Sequence, residues 1–174
     1  MRVFGTFNMN NSYFETIPTL NPLFENADYI DIKSIDSSNN LRHFIVGFIY
    51  YCPSWIQFLY KVRAVFVRLL GMRQESVDLT PSAPEDISFI PGDLCLAFTV
   101  THGKDNQFIA MQHEDKHLSA RLLVAIEPLE SGINRFHVGT IVHHKHWTGP
   151  VYFTVIKPFH HLVVRQMMKA GITK

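Results

Sequence analysis

The C-terminal segment that begins at Trp147 constrains the fold of this 174-residue chain more than any other part. Six side chains recur there at steps of four, three, four, four and three: Tyr152, Ile156, Phe159, Val163, Met167 and Ala170. This spacing places them along one side of an amphipathic helix, and such a stripe must be buried. The only large partner available is the sheet that precedes it. We therefore expect a sheet packed on one long C-terminal helix, with an apolar hollow between them.

Strand-like runs come directly before this helix and predict an antiparallel meander. They cover residues 94–101, 107–112, 117–126 and 133–146, and the turn residues between them are Gly103-Lys104, Glu114-Asp115 and Ser131-Gly132. An earlier strand is predicted at residues 29–33, where polar and apolar side chains alternate. Two shorter helices follow it, at residues 41–51 and from Pro53 onward. This order of elements is typical of an α+β fold.

The composition indicates one globular domain. Apolar residues make up 47% and charged residues 18% of the chain. We expect an irregular lead-in over residues 1–24 and a single domain over residues 25–174. The chain has two cysteines and no signal-peptide pattern. Its nearly charge-free segment at residues 44–60 is too short to span a membrane, so we expect a cytoplasmic protein. A formal net charge of +1 gives no reason to expect a nucleic-acid partner.

Charge is nevertheless distributed unevenly along the chain. No Asp or Glu follows Glu130, whereas six basic residues do: Arg135, Lys145, Lys157, Arg165, Lys169 and Lys174. Neighbouring acidic elements can offset these cations within the fold. Alternatively, the cations form a basic face that meets an anionic membrane or a protein partner.

The pairing of the last two predicted strands can be argued from their side chains. If Glu130-Ser131-Gly132 is a three-residue loop with Gly132 in the left-handed conformation, Leu129 pairs with Ile133. One face of the pair is then mostly apolar and consists of Leu118, Ala120, Leu122, Val124, Ile126, Phe136, Val138, Thr140, Val142 and His144. A loop of two residues would pair apolar with polar side chains, so we prefer the loop of three.

Three residues are candidates for acid–base chemistry. His117 and Arg121 point the same way along one strand, and an arginine can hold an anion while a histidine moves a proton near neutral pH. The register instead places both on the outer face of the sheet, where they would have a structural role. His144 lies on the helix-facing side. His144 and His146 could form a metal-ligand pair, but no metal-binding motif accompanies them, and we expect no metal.

Pro158 lies inside the predicted C-terminal helix. Proline removes one backbone hydrogen bond and bends a helix. A bent helix can arch over the sheet and leave space beneath it. Alternatively, the bend is a plain kink relieved by water, or two helices meet at this point.

Three separated motifs carry a family resemblance: Asp115-Lys116-His117-Leu118-x-x-Arg121, Gly149-Pro150-Val151-Tyr152, and Pro158-Phe159-His160-x-Leu162-Val163-Val164. In these the chain resembles a bacterial family of unknown function in the START-like superfamily of polyketide cyclases and lipid-transport proteins. Members of that family also occur fused to short-chain-dehydrogenase-like domains. The resemblance implies a helix-grip fold, in which a curved antiparallel sheet wraps around a long C-terminal helix and encloses an apolar cavity.

Together these patterns favour a cofactor-free module that binds a small hydrophobic or amphipathic molecule between the sheet and the C-terminal helix. Its expected lining is Leu118, Leu122, Phe136, Val138, Thr140, Val142, His144, Tyr152, Ile156 and Phe159. Two alternatives remain open. One is a cyclase, dehydratase or isomerase that uses His117, Arg121 or His144, and the other is a membrane-surface or protein-interaction domain that uses the basic C-terminal helix.

Overall fold

The computed structural model describes residues 12–69, 83–114 and 117–173, and it confirms the helix-grip arrangement. The helices and strands, in chain order, are β1 (Tyr29–Ser37), α1 (Leu41–Ile49), α2 (Ser54–Leu69), β2 (Leu94–Cys95), β3 (Phe98–Lys104), β4 (Phe108–Glu114), β5 (Leu118–Pro128), β6 (Asn134–His144) and α3 (Thr148–Ile172). Short 3₁₀ helices lie at Tyr13–Thr16, Pro18–Phe24, Pro84–Asp86 and Glu130–Gly132. The strands form one antiparallel sheet in the order β1-β6-β5-β4-β3-β2.

The predicted pairing of β5 with β6 is confirmed. Leu118 lies opposite His144, and Ile126 lies opposite Phe136. The connecting loop has three residues, and the backbone N–H of Leu129 donates to the carbonyl of Ile133 at 2.8 Å. Both Ser131 (φ 62°) and Gly132 (φ 75°) adopt left-handed conformations, whereas only the glycine was expected to.

The beginning of the meander differs from the sequence prediction. The run at residues 94–101 is divided into β2 and β3, and Leu96 between them has a φ of 55°. Gly103 lies inside β3 rather than in a turn, and Asn106 (φ 55°) supplies the left-handed residue of the turn. The reason is a close approach, because a Cβ on Gly103 would lie 2.2 Å from the carbonyl oxygen of Phe89.

The three helices lie on one face of the sheet. α1 packs closely on α3, where a Cβ on Gly47 would lie 2.8 Å from the Cα of Gly171. α3 is one helix that continues through Pro158, so the alternative of two helices is wrong. In the described part of the chain, no helix combines the length and apolar character that crossing a membrane requires.

The buried face of α3 departs from the predicted stripe beyond Ile156. Val164 and Met168 are buried, whereas Phe159 is 46% exposed. The cause is the contact with α1: Gly171 lies against Phe44, so the residues one and two turns earlier face the core.

The other face of the sheet is covered by the N-terminal residues. Four of their side chains are buried there, Phe14, Leu20, Leu23 and Phe24, and they pack on Phe108, Ala110, Leu123, Ala125 and Ile141. The sequence predicted an irregular lead-in over residues 1–24. The described part of it forms two 3₁₀ helices that complete a second apolar core.

Candidate functional site

The helix layer leaves part of the sheet accessible. β5 is an interior strand between β4 and β6, yet Ala120 and Leu122 on its helix-facing side are only partly buried. Their partners on β6, Val142 and Thr140, are buried. A side chain on an interior strand reaches solvent only where no helix covers it. The helix-facing side of β5 is therefore incompletely covered at Ala120 and Leu122, and this patch is referred to below as the β5 hollow.

An apolar cluster at one end of the sheet borders the β5 hollow. Its buried members are Val67, Leu118, Val142 and Tyr152, and Tyr29, Phe66, Ala120, Phe153 and Ile156 pack on them while remaining partly exposed. The Tyr152 ring stacks on the Phe66 ring with centroids 6.3 Å apart, and Nε of Arg63 donates to the Tyr152 hydroxyl at 2.5 Å. Tyr152 therefore connects α3 to α2 at this end.

Three residues of the expected lining have other positions. Phe136 and Val138 are buried in the core beneath α1, and the Phe136 ring stacks on the Phe44 ring with centroids 4.2 Å apart. Because α1 fills the space over this part of the face, both side chains belong to the packed core. Phe159 lies on the solvent side of α3, so its expected contact with the sheet is wrong.

His144 lies at the corner where β6 leads into α3. Its ring centroid is 5.9 Å from that of Phe153, and its Nδ1 is buried without a hydrogen-bond partner among the described residues. The backbone N–H of His144 donates to the Asp28 carboxylate at 2.7 Å. Burial of the ring lowers the pKa of His144, although the nearby Asp28 opposes the shift. At neutral pH the ring is therefore uncharged.

His117 lies at the same corner. Its Nδ1 is 2.8 Å from Oγ1 of Thr148, and its ring centroid is 5.5 Å from that of His146. Gly149 lies close to both candidate histidines. A Cβ at Gly149 would lie 2.9 Å from Nδ1 of His144 and 3.0 Å from the backbone carbonyl oxygen of His117.

Arg121 lies on the opposite face of the sheet. Its Nη1 donates to the Leu23 carbonyl at 2.8 Å, and its Nε donates to the Gln112 side chain at 3.1 Å. Side chains of a strand alternate between faces, so an odd-numbered residue of β5 cannot join the even-numbered ones. The placement of Arg121 on the outer face, as the register predicted, is therefore confirmed. The alternative in which Arg121 holds an anion in one cavity with His144 is wrong, and Arg121 instead anchors the 3₁₀ helix at Pro18–Phe24. Asp115 of the same motif lies outside the described residues.

A polar cluster between β1 and α3 was not predicted. Its members are Tyr29, Asp31 and Lys33 on β1 and His160 and His161 on α3. Lys33 forms an ion pair with Asp31, its Nζ is 3.1 Å from Nδ1 of His161, and the Tyr29 hydroxyl is 3.3 Å from Nε2 of His161. Burial, with a smaller contribution from Asp31, raises the pKa of Tyr29.

The sequence contained a signal for this cluster. Polar and apolar residues alternate along β1, where Ile30 and Ile32 lie between Tyr29, Asp31 and Lys33. In a sheet with one buried face, the isoleucines would be expected to face the helices. Because the 3₁₀ helices form a second core on the other face, the isoleucines pack there and the polar residues face α3. Among the described residues no group of three or more His, Cys, Asp or Glu side chains is arranged to hold a metal ion.

Comparisons with known proteins give one family and a set of remote structural neighbours. The model of a family described as "Protein of unknown function (DUF2867)" matches residues 23–167. No curated protein sequence matches the chain. A truncated norcoclaurine synthase from Thalictrum flavum is similar in structure at 8% identity and a TM-score of 0.41, over 84% of this chain and 94% of that one. A point mutant of that synthase, in complex with a transition-state analogue, gives 8% identity and a TM-score of 0.36 over 81% and 94%.

Proposed function

Since the chain belongs to the DUF2867 family of proteins of unknown function, we propose its function from the site itself: the protein binds a small hydrophobic or amphipathic molecule in the β5 hollow. The observation that carries this proposal is the partial exposure of Ala120 and Leu122 on the helix-facing side of an interior strand. Apolar surface at this place is bordered by side chains of α2 and α3. Small-molecule sites are typically of this kind, apolar with a few polar groups.

The polar contact of the ligand is supplied by His144. Its ring is partly buried beside Phe153, which borders the β5 hollow, and its pKa is lowered by burial. An uncharged imidazole in an apolar setting favours a hydrogen bond to a neutral group over a pair with a carboxylate. The ligand in this proposal therefore carries a hydroxyl or carbonyl group close to an apolar body.

The proposal extends to the setting of the protein. The described residues of the motifs that resemble the START-like superfamily lie at the beginning of β5 and in α3, and lipid-transport proteins belong to that superfamily. We place this chain in the same superfamily, as a cytoplasmic bacterial protein that holds its ligand without a cofactor.

The test is to fill the hollow. Ala120→Trp places an indole over β5, and because Ala120 is partly exposed the fold has room to accept the larger side chain. We expect the affinity for the uncharged fluorescent probe 1-aminoanthracene to fall by roughly tenfold or more, since the indole occupies the volume that the probe would bury. The measurement is a fluorescence titration of the full chain, with thermal unfolding to show that the variant is folded.

The matched control is Ile133→Trp, which adds an indole at an exposed position at the β5–β6 hairpin. It should bind the probe as the wild-type protein does. A folded Ala120→Trp protein with wild-type probe affinity would contradict the proposal.

A further inference from the structure

The outward faces of α2 and α3 carry two exposed apolar stripes. On α2 the stripe recurs at steps of four, three and four and consists of Phe58, Val62, Val65 and Leu69. On α3 it recurs at steps of four, four and three and consists of Val151, Val155, Phe159 and Leu162. Residues three and four apart lie on one side of a helix, so each stripe is continuous. Leu69 is 80% exposed, far more than its packed neighbour Val67 at 3%.

Both stripes face away from the sheet. α2 turns Ile56 and Val67 inward, and α3 turns Tyr152, Val164 and Met168 inward. The two helices lie in the same layer and meet where Arg63 contacts Tyr152. The stripes therefore form the outer surface of the helix layer, and the β5 hollow lies on its inner side.

This outer surface is also basic. Neither α2 nor α3 contains an Asp or Glu, and together they carry six cations: Lys61, Arg63, Arg68, Lys157, Arg165 and Lys169. Arg63 donates to Tyr152 and Lys157 lies over the Tyr29 ring of β1, which leaves Lys61, Arg68, Arg165 and Lys169 as the exposed cations of this surface. The whole chain has a net charge of only +1, so the acidic residues that balance these cations lie on other elements.

Apolar stripes flanked by cations are complementary to an anionic bilayer surface. Apolar side chains gain by entering the boundary between headgroups and acyl chains, while each nearby Lys or Arg is attracted to anionic lipid. Trp147, 71% exposed just before α3, supplies the type of aromatic side chain that is enriched at this boundary. A purely apolar protein partner would fit the stripes but would leave the cations unpaired.

We propose that the outer surface of α2 and α3 docks on anionic lipid membranes, with the two stripes inserted among the headgroups and the cations held by lipid phosphates. The docking places the protein at a source of apolar molecules. It stands independently of ligand binding in the β5 hollow, because the two surfaces share no exposed residue.

The experiment is sedimentation of the full chain with vesicles of phosphatidylcholine alone or of phosphatidylcholine with about 30 mol% phosphatidylglycerol. We expect binding to the anionic vesicles at low salt, weakened by added salt, and no binding to the neutral ones. Two variants test the two halves of the surface, Val155→Glu with Phe159→Glu for the stripe and Arg165→Glu with Lys169→Glu for the cations. Each should reduce partitioning by roughly tenfold or more.

The matched control is Ile90→Glu with Ile133→Glu, which removes two exposed apolar side chains outside α2 and α3 and should leave partitioning unchanged. Lack of binding to anionic vesicles at low salt would overturn the proposal. A wild-type protein that is a dimer in sedimentation, with a monomeric Val155→Glu, Phe159→Glu variant, would also overturn it. The stripes of two copies would then cover each other. Probe binding by the same proteins reports on the β5 hollow separately.

Discussion

At the scale of single residues, His160 is the least expected feature. It takes the inward position on α3 that the sequence pattern assigned to Phe159; the residue is partly buried, and its Nε2 is buried without a partner among the described residues. Burial lowers the pKa of His160 to about 4; Asp31 opposes this shift, and Lys33 and His161 add to it. The imidazole is therefore neutral in the folded protein at any pH above that value.

We expect His160 to make the protein less stable in acid. Its pKa in the unfolded chain, about 6.5, lies above the folded value, so the unfolded state binds more protons between the two. The free energy of unfolding should fall as pH drops below about 6.5, with a loss on the order of 3 kcal/mol by pH 4. His160→Leu should remove this part of the pH dependence in urea titrations at neutral and acidic pH. The control His102→Gln should keep the pH dependence of the wild-type protein. If His160→Leu loses as much free energy of unfolding between neutral and acidic pH as the wild type does, His160 is not the group responsible.

At the scale of elements, α3 shows which properties of a helix its own residues predict and which they do not. Its existence, approximate beginning and amphipathic character follow from residues 147–173 alone, because the spacing of apolar side chains is a local property. Which side is buried does not follow, since Phe159 and Val164 are both apolar and both belong to a plausible stripe. The contact of Gly171 with Phe44 of α1 decides between the stripes.

The rotation of α3 predicts opposite outcomes for two truncations. Met168→Ala should lower the free energy of unfolding by about 2–5 kcal/mol, because a side chain that is 3% exposed leaves a cavity in the core. Phe159→Ala should cost less than about 1 kcal/mol, since nearly half of that side chain already contacts water. Urea denaturation of both variants checks this. A larger loss of the free energy of unfolding for Phe159→Ala than for Met168→Ala would show that the buried side of α3 is the one predicted from the sequence.

At the scale of the whole molecule, the sheet carries a packed layer on each face, incomplete at the β5 hollow. The helices cover one face and the 3₁₀ helices of the N-terminal residues cover the other. The close fit is visible at Gly139 of β6, where a Cβ would lie 3.1 Å from the Phe14 ring. Arg121 and the polar cluster on β1 both take their positions from this second core.

We expect deletion of residues 1–24 to destabilise the whole domain, because it uncovers Phe108, Leu123 and Ile141 on the outer face of the sheet. The truncated chain should bind 1-anilinonaphthalene-8-sulfonate and lose its cooperative thermal transition. Arg121→Gln removes one anchor of the same segment and should keep a cooperative transition at a somewhat lower temperature. Unchanged unfolding of the truncated chain would show that these residues are dispensable.

The sequence by itself determined the order of elements and the pairing of β5 with β6, because alternation along a strand and the length of a short loop act between close neighbours. The same register placed His144 on the helix-facing side and Arg121 on the other face.

Only the tertiary structure decided which side of α3 is buried and where the sheet stays accessible. Each of these depends on what covers a surface, and the covering residues come from distant parts of the chain. Since Phe44, Leu23 and Tyr152 are brought to the sheet by packing rather than by local pattern, their contacts could be found only in the folded molecule.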